Sequence, residues 1–142
     1  MTDTQSVFIG LDIGEVRIGV AINPPGVSIA RPLTTILNND AVFESIQKII
    51  LEHNVTAIIV GDPRNLQGND TDQTRYVAQF VNDLKAKTSL PIHMQDEALT
   101  SVKAEDELKA RKQQYGKSDV DALAATYILQ DYIEEHVKVH HA

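Results

Sequence analysis

The chain has 142 residues, 42% hydrophobic and 23% charged, which suits one globular domain, spanning residues 1–142, with a core large enough to need no covalent staples. With no cysteine it has neither disulfides nor thiolate metal sites, and it has no apolar run near the ~18 residues of a membrane span. The polar opening Met1 to Ser6 lacks a signal-peptide pattern, so a cytoplasmic location is expected, and the net charge of −7 at first sight disfavours a polyanionic partner. In chain order, Val7 to Ile13 reads as a strand buried on both faces and Arg17 to Ile22 as a second, joined by a hairpin turn at Gly14-Glu15-Val16. A third strand lies within Val27 to Leu37, bent or interrupted at Pro32. Asn39 or Asp40 caps a helix whose apolar positions Val42, Phe43, Ile46, Ile49 and Ile50 run to about His53. Ala57 to Val60 forms a short buried strand, followed by a loop to about Thr71 and a helix with Tyr76, Val77, Phe80, Val81 and Leu84 inside. A strand around Pro91 to Gln95 ends at Asp96-Glu97. Thr100 caps a helix to about Gln113, and Ser118 caps a last one through Glu135, with residues 137–142 expected to fray.

The order β-β-β-α-β-α-β-α-α predicts an α/β fold with a mixed five-stranded sheet. Three antiparallel strands come first, then right-handed parallel crossovers, with helices on the faces. This is the pattern of the ribonuclease-H-like class, whereas a doubly wound nucleotide-binding fold would begin with βαβ.

Three acidic positions stand out. Asp12 sits within a run of Val, Phe, Ile and Leu, where a carboxylate must be paired, protonated or bound to a cation. Strand alternation puts it on one face with Gly10 and near Gly19 and Ala21 of the second strand, a face of small side chains. The last helix, with Ala122, Ala124 and Ala125, can approach such a face closely. Hydrogen bonds from turn amides at Gly14 would satisfy Asp12 equally well. Asp96 and Glu97, between a strand and a helix, suit either a site at the sheet's carboxyl edge or a solvated pair favoured by the helix dipole. Asp121 fits a capping box with Ser118, yet the first helical turn also aims it at the sheet. All three acids thus belong to elements that meet one sheet edge. Such a cluster repels itself unless divalent cations occupy it, and oxygen-only ligands suit Mg²⁺ or Mn²⁺. Two ions about 4 Å apart would activate water and stabilise the leaving oxygen in phosphodiester hydrolysis, while one ion on two carboxylates is the alternative.

Several segments, taken together, carry a family likeness. Gly10-Leu11-Asp12-Ile13-Gly14-Glu15-Val16-Arg17-Ile18-Gly19-Val20-Ala21 resembles the opening GxDxGxxRxGVA signature of the YqgF family, nucleases of pre-16S rRNA that are similar to Holliday-junction resolvases. Arg31 to Ile36, Val60 to Gly68, Asp96 to Ala104 and Asp121 to Gln130 resemble the later motifs of that family in the same order. The resemblance implies a ribonuclease-H-like, Mg²⁺- or Mn²⁺-dependent nuclease in 5′-end maturation of 16S rRNA, with Asp12, Glu97 and Asp121 as catalytic acids and metal ligands. Two positions depart from the pattern: Ala98 replaces the family's Arg after Asp-Glu, and Asp62 replaces its Leu after the loop glycine. The loss of the Arg leaves Arg17 as the nearest candidate cation, either on substrate phosphate or paired with Asp12 or another sheet-edge acid. Asn65, Gln67, Gly68 and Asn69 offer neutral donors to phosphate or base, or form a plain surface loop.

The objection from net charge weakens locally. Residues 103–117 carry +2, through Lys103, Lys109, Arg111, Lys112 and Lys117, while the rest carries −9. This strip beside the proposed site, in which Lys103 is the candidate substrate contact, either binds phosphates or is a solvated helix laced with pairs such as Glu105 to Lys109 and Glu107 to Arg111. So few cations predict salt-sensitive binding aided by a pre-ribosomal particle, and 5% aromatics without Trp give no evident stacking platform. The expected partner is RNA and no membrane, and the protein a monomer or homodimer. The rivals are a DNA-junction resolvase with the same site and a non-catalytic ribosome assembly factor, the latter encouraged by Ala98 and the acidic balance. An ATPase of the actin and sugar-kinase class would need two such domains. His136, His140 and His141 suit a transition metal or a loose tail.

Overall fold

The computed structural model describes residues 6–63, 71–97, 100–111 and 116–136. Asn65, Gln67, Gly68, Asn69, Ala98, Lys112 and the tail 137–142 lie outside the described residues. Strand β1 (Phe8–Ile13) pairs antiparallel with β2 (Arg17–Ile22), setting Gly10 opposite Ala21 and Asp12 opposite Gly19. The turn between them closes on itself, the Gly14 N–H donating to the Arg17 carbonyl at 3.0 Å. Strand β3 (Arg31–Leu37) pairs antiparallel with β2, and the register slips between Val20 and Ala21, where Pro32 stands opposite Ala21. Proline lacks an N–H, and an edge strand with a bulge is where a sheet tolerates it. Strand β4 (Ala57–Asp62) runs parallel to β1, and β5 (Ile92–Asp96) parallel to β4, giving the order β3-β2-β1-β4-β5.

Helices α1 (Val42–His53) and α2 (Asp72–Lys85) form the crossovers. They bury Val42, Ile46, Ile49, Ile50, Val77, Phe80, Val81 and Leu84 against Ile9, Leu11, Ile13, Ile18, Val20, Ile22, Ile58 and Val60 of the sheet. The opposite sheet face receives α4 (Lys117–His136) through Ala125, Ile128, Leu129 and Ile133, packed on Ala21, Ala30 and Ile59. Helix α3 (Thr100–Ala110) lies against α4 through Ala104, Leu108, Leu123 and Ala124. Among the described residues, no helix is long and apolar enough to cross a membrane.

Close approach of α4 depends on missing side chains. A Cβ on Gly10 would stand 2.8 Å from the Leu129 Cβ, and one on Gly19 only 1.9 Å from the Asp121 carbonyl oxygen. The small-residue face expected around Asp12 is therefore where the helix backbone touches the sheet.

The helix starts differ from expectation in three places. Helix α1 begins at Val42, after Ala41, because the Asn39 side chain is spent on a turn: its Oδ1 accepts from the Ala41 N–H at 2.9 Å. Helix α3 begins on Thr100 itself and ends at Ala110, short of Gln113. Ser118 lies inside α4, whose first carbonyl acceptor is that of Gly116, bonded to the N–H groups of Asp119 and Val120. Asp119 Oδ2 accepts from the Gly116 N–H at 3.0 Å, so the reach-back contact of a capping box belongs to Asp119.

Candidate active site

The site is built from one row of three residues across the sheet. Asp12 of β1 stands opposite Gly19 of β2. On its other side, β4 advances from Ile59, the partner of Gly10, to Gly61 two residues later, level with Asp12. Asp12 thus has a glycine on either hand, and each makes room for one of the other acids. The Asp121 backbone lies on Gly19, where an added Cβ would collide with its carbonyl oxygen and carbonyl carbon at 1.9 and 2.3 Å. A Cβ on Gly61 would stand 2.6 Å from Glu97 Oε2. Glu97 is brought there by extending the β4–β5 ladder, its N–H donating to the Asp62 carbonyl at 3.2 Å just beyond the Asp62–Asp96 pair. With strands about 4.8 Å apart, the row spans roughly 10 Å.

The electrostatics follow from this packing. Asp12 is pushed up to about 7, first because the helix and sheet strip it of water, then because the carboxylates of Glu97 and Asp121 repel its charge. Asp121 is partly neutralised by Arg17, whose Nε donates to Oδ2 at 2.6 Å. Arg17 therefore pairs with a sheet-edge acid, one of the two roles expected of it. Two of the three bland readings find no support: the Gly14 amide, the alternative partner of Asp12, is bonded to Arg17, and Asp119 performs the capping that Asp121 was expected to share. This division predicts that Asp119→Ala costs about 1 kcal/mol in chemical denaturation and leaves nuclease turnover within about twofold of wild type. A large loss of turnover there would mean that the first turn of α4 has been assigned to the wrong acid.

Oxygen donors alone, on carboxylates that repel one another, are the donor set that suits a hard divalent cation. Among the described residues, no three acidic or imidazole side chains already converge on one point, in keeping with the engagement of Asp121 by Arg17. The donor chemistry of the three carboxylates fits such an ion, and one oxygen of Asp121 is engaged by the Arg17 guanidinium.

Lys103 is exposed on α3 and faces Asp131 of α4, opposing the upward push that burial exerts on that carboxyl. Ten residues, or about 15 Å of helix, separate Asp131 from Asp121. Arg111 pairs with Glu107, which also accepts from the Tyr127 hydroxyl, so this part of the basic strip is laced to its own helix and to α4. His136 stacks on Tyr132, with His93 on the same ring at 5.6 Å between centroids. Sequence reasoning missed Gly61. Its signal was a glycine ending the buried run Ala57 to Val60, two residues beyond Ile59 and so on the α4 face.

The family model described as "RuvX: Holliday junction resolvase" matches residues 6–135. The chain belongs to the RuvX family. Among curated RuvX-like relatives, proteins from Sulfurihydrogenibium sp. (strain YO3AOP1) and Thermoanaerobacter pseudethanolicus are 40% and 42% identical to it. The alignments cover 92% and 89% of this chain and 91% and 95% of the relatives, and both relatives bear the name "Putative pre-16S rRNA nuclease". Among solved structures, Thermus thermophilus RuvC in complex with a Holliday-junction substrate superposes with a TM-score of 0.60 at 14% identity, over 92% of this chain and 94% of that one. The fowlpox virus resolvase in complex with its Holliday-junction DNA gives 0.56 at 11% identity, over 92% and 99%. These likenesses establish the ribonuclease-H-like fold of this RuvX-family chain.

Proposed function

We propose that this RuvX-family protein is a metal-dependent nuclease that hydrolyses phosphodiester bonds in the 5′-end maturation of 16S rRNA, in the cytoplasm. The observation that carries hydrolysis is the row Gly19-Asp12-Gly61, in which the two glycines seat Asp121 and Glu97 on either side of a half-buried acid. The names of the relatives at 40% and 42% identity favour RNA as substrate. Asp12, Glu97 and Asp121 would hold Mg²⁺ or Mn²⁺. When bound, such ions supply water activation and charge stabilisation at the leaving oxygen. The chain's own residues orient the reaction. Asp12 is fixed by the central strand, Glu97 by the end of the β4–β5 ladder and Asp121 by the α4 backbone on Gly19. Arg17 contacts substrate phosphate near the site, Lys103 contacts it farther along the strand, and Asn65 is a further candidate donor to phosphate by residue type alone.

The test is cleavage of a 5′-extended 16S rRNA fragment beside a four-way DNA junction of equal length, each with Mn²⁺, Mg²⁺ or chelator. Ion-dependent cleavage of the RNA, with the junction left intact, is expected. Preferential nicking of the junction would assign a resolvase, and binding without cleavage under every ion would assign an assembly factor.

A further inference from the structure

Arg17 stands where its backbone is fixed and its side chain can move. It is the first residue of β2, its carbonyl bound by the Gly14 N–H, while its side chain remains 30% exposed. That side chain crosses to α4 and places Nε 2.6 Å from Asp121 Oδ2. One oxygen of an acid assigned to cation binding is therefore already taken by a cation of the chain itself. A guanidinium and a divalent ion cannot share one carboxylate without mutual repulsion, and the double charge wins where two further carboxylates help to hold it. Once displaced, a guanidinium at the open end of the sheet matches the fork geometry of a phosphate better than any other anion a nucleic acid offers.

We infer that Arg17 is a placeholder counter-ion: it holds Asp121 until a divalent cation displaces it, and then binds substrate phosphate, so that ion loading and nucleic-acid binding are coupled through one side chain. The inference rests on the nuclease reading above. It goes beyond that reading in predicting that loss of Arg17 strengthens ion binding while weakening the hold on RNA.

The test uses the full chain and reads binding, not turnover. Mn²⁺ is titrated calorimetrically into wild type, Arg17→Gln, Arg17→Lys, Asp12→Asn and Lys117→Gln, the last removing an exposed charge four residues before Asp121 on α4. A labelled 5′-extended 16S rRNA fragment is then bound with and without Ca²⁺, used in place of Mn²⁺ to slow hydrolysis. Arg17→Gln should bind Mn²⁺ about fivefold or more tighter than wild type, and Arg17→Lys should lie between them. Lys117→Gln should shift by less than about twofold. Ca²⁺ should tighten RNA binding by about fivefold in wild type and leave Arg17→Gln nearly unchanged. Weaker or unaltered Mn²⁺ binding in both Arg17 variants would overturn the inference, as would an equal shift in Lys117→Gln or persistent Ca²⁺ coupling in Arg17→Gln. Should Arg17→Gln fail to fold, Arg17→Lys decides by the same measurements. Equal Mn²⁺ binding by wild type and Asp12→Asn would instead remove the metal site itself, and the inference with it.

Discussion

Asp12→Asn is expected to abolish cleavage, by a factor on the order of 10³, while making the ion-free protein more stable at pH 8. The two effects share a cause. Asparagine keeps the shape of the side chain and the packing of β1, but it removes a negative charge that burial and two neighbouring acids make costly. The native carboxyl titrates at about 7, against the ordinary 3.8 that it regains on unfolding. Between those values the native state binds the extra proton, so stability falls as pH rises through this window, and the penalty is complete above pH 7. Below 3.8 both states are protonated and the penalty vanishes. Each unit of elevation corresponds to about 1.4 kcal/mol. Thermal melts of the ion-free proteins should therefore coincide near pH 4 and separate progressively to pH 8, the variant melting several degrees higher. Added Mn²⁺ should raise the wild-type midpoint at pH 8 and move that of the variant little. Cleavage by Asp12→Asn at the wild-type rate, or melting curves that stay parallel across the range, would dismiss Asp12 from the centre of the site.

Much of this arrangement was legible in the sequence because it is written in periodicity. Alternation in Phe8 to Ile13 put Asp12 and Gly10 on one face, and the alanines of α4 marked the element able to reach it. The strand order followed from hairpin and crossover rules, and Arg17 to Ile22 has the expected bounds. Features that depend on tertiary contact were harder to read. Ser118 and Asp121 have the spacing of a capping box, but the box is formed two residues earlier, by Gly116 and Asp119, whose carboxylate reaches back to the Gly116 N–H. Nothing local distinguishes those two registers; what separates them is the contact of Asp121 with Gly19, about 100 positions away in the chain. Arg17 had two partners open to it for the same reason. Its pairing with Asp121 in place of Asp12 depends on where α4 crosses β2, which is set by packing of Ala125, Leu129 and their neighbours rather than by any motif. Gly61 escaped notice because its role is to be absent from a space that Glu97 fills.

The two glycines flanking Asp12 should respond differently to the same change, and the contrast tests how each acid is held. A Cβ on Gly19 meets backbone: the carbonyl oxygen and carbon of Asp121 at 1.9 and 2.3 Å, and the Ala122 nitrogen at 3.0 Å. Backbone within a helix cannot step aside singly, so the first turns of α4 must lift from the sheet and uncover Ala125, Ile128 and Leu129. Gly19→Ala is expected to cost about 3 kcal/mol or more, a large part of the stability of a domain this size, and to abolish cleavage with it. On Gly61 the same methyl meets Glu97 Oε2 and Ile128 Cδ1, both at 2.6 Å. These are the far ends of flexible side chains, which can rotate away for about 1 kcal/mol. Gly61→Ala should therefore stay folded, with a denaturation midpoint near that of wild type, yet lose cleavage by roughly 10²-fold because Glu97 is pushed from its place beside Asp12. Urea denaturation and turnover, measured on both variants, separate the cases. Equal stability in the two would mean that α4 does not rest on β2 at Gly19, and full activity in Gly61→Ala would mean that Glu97 does not work from its seat on β4.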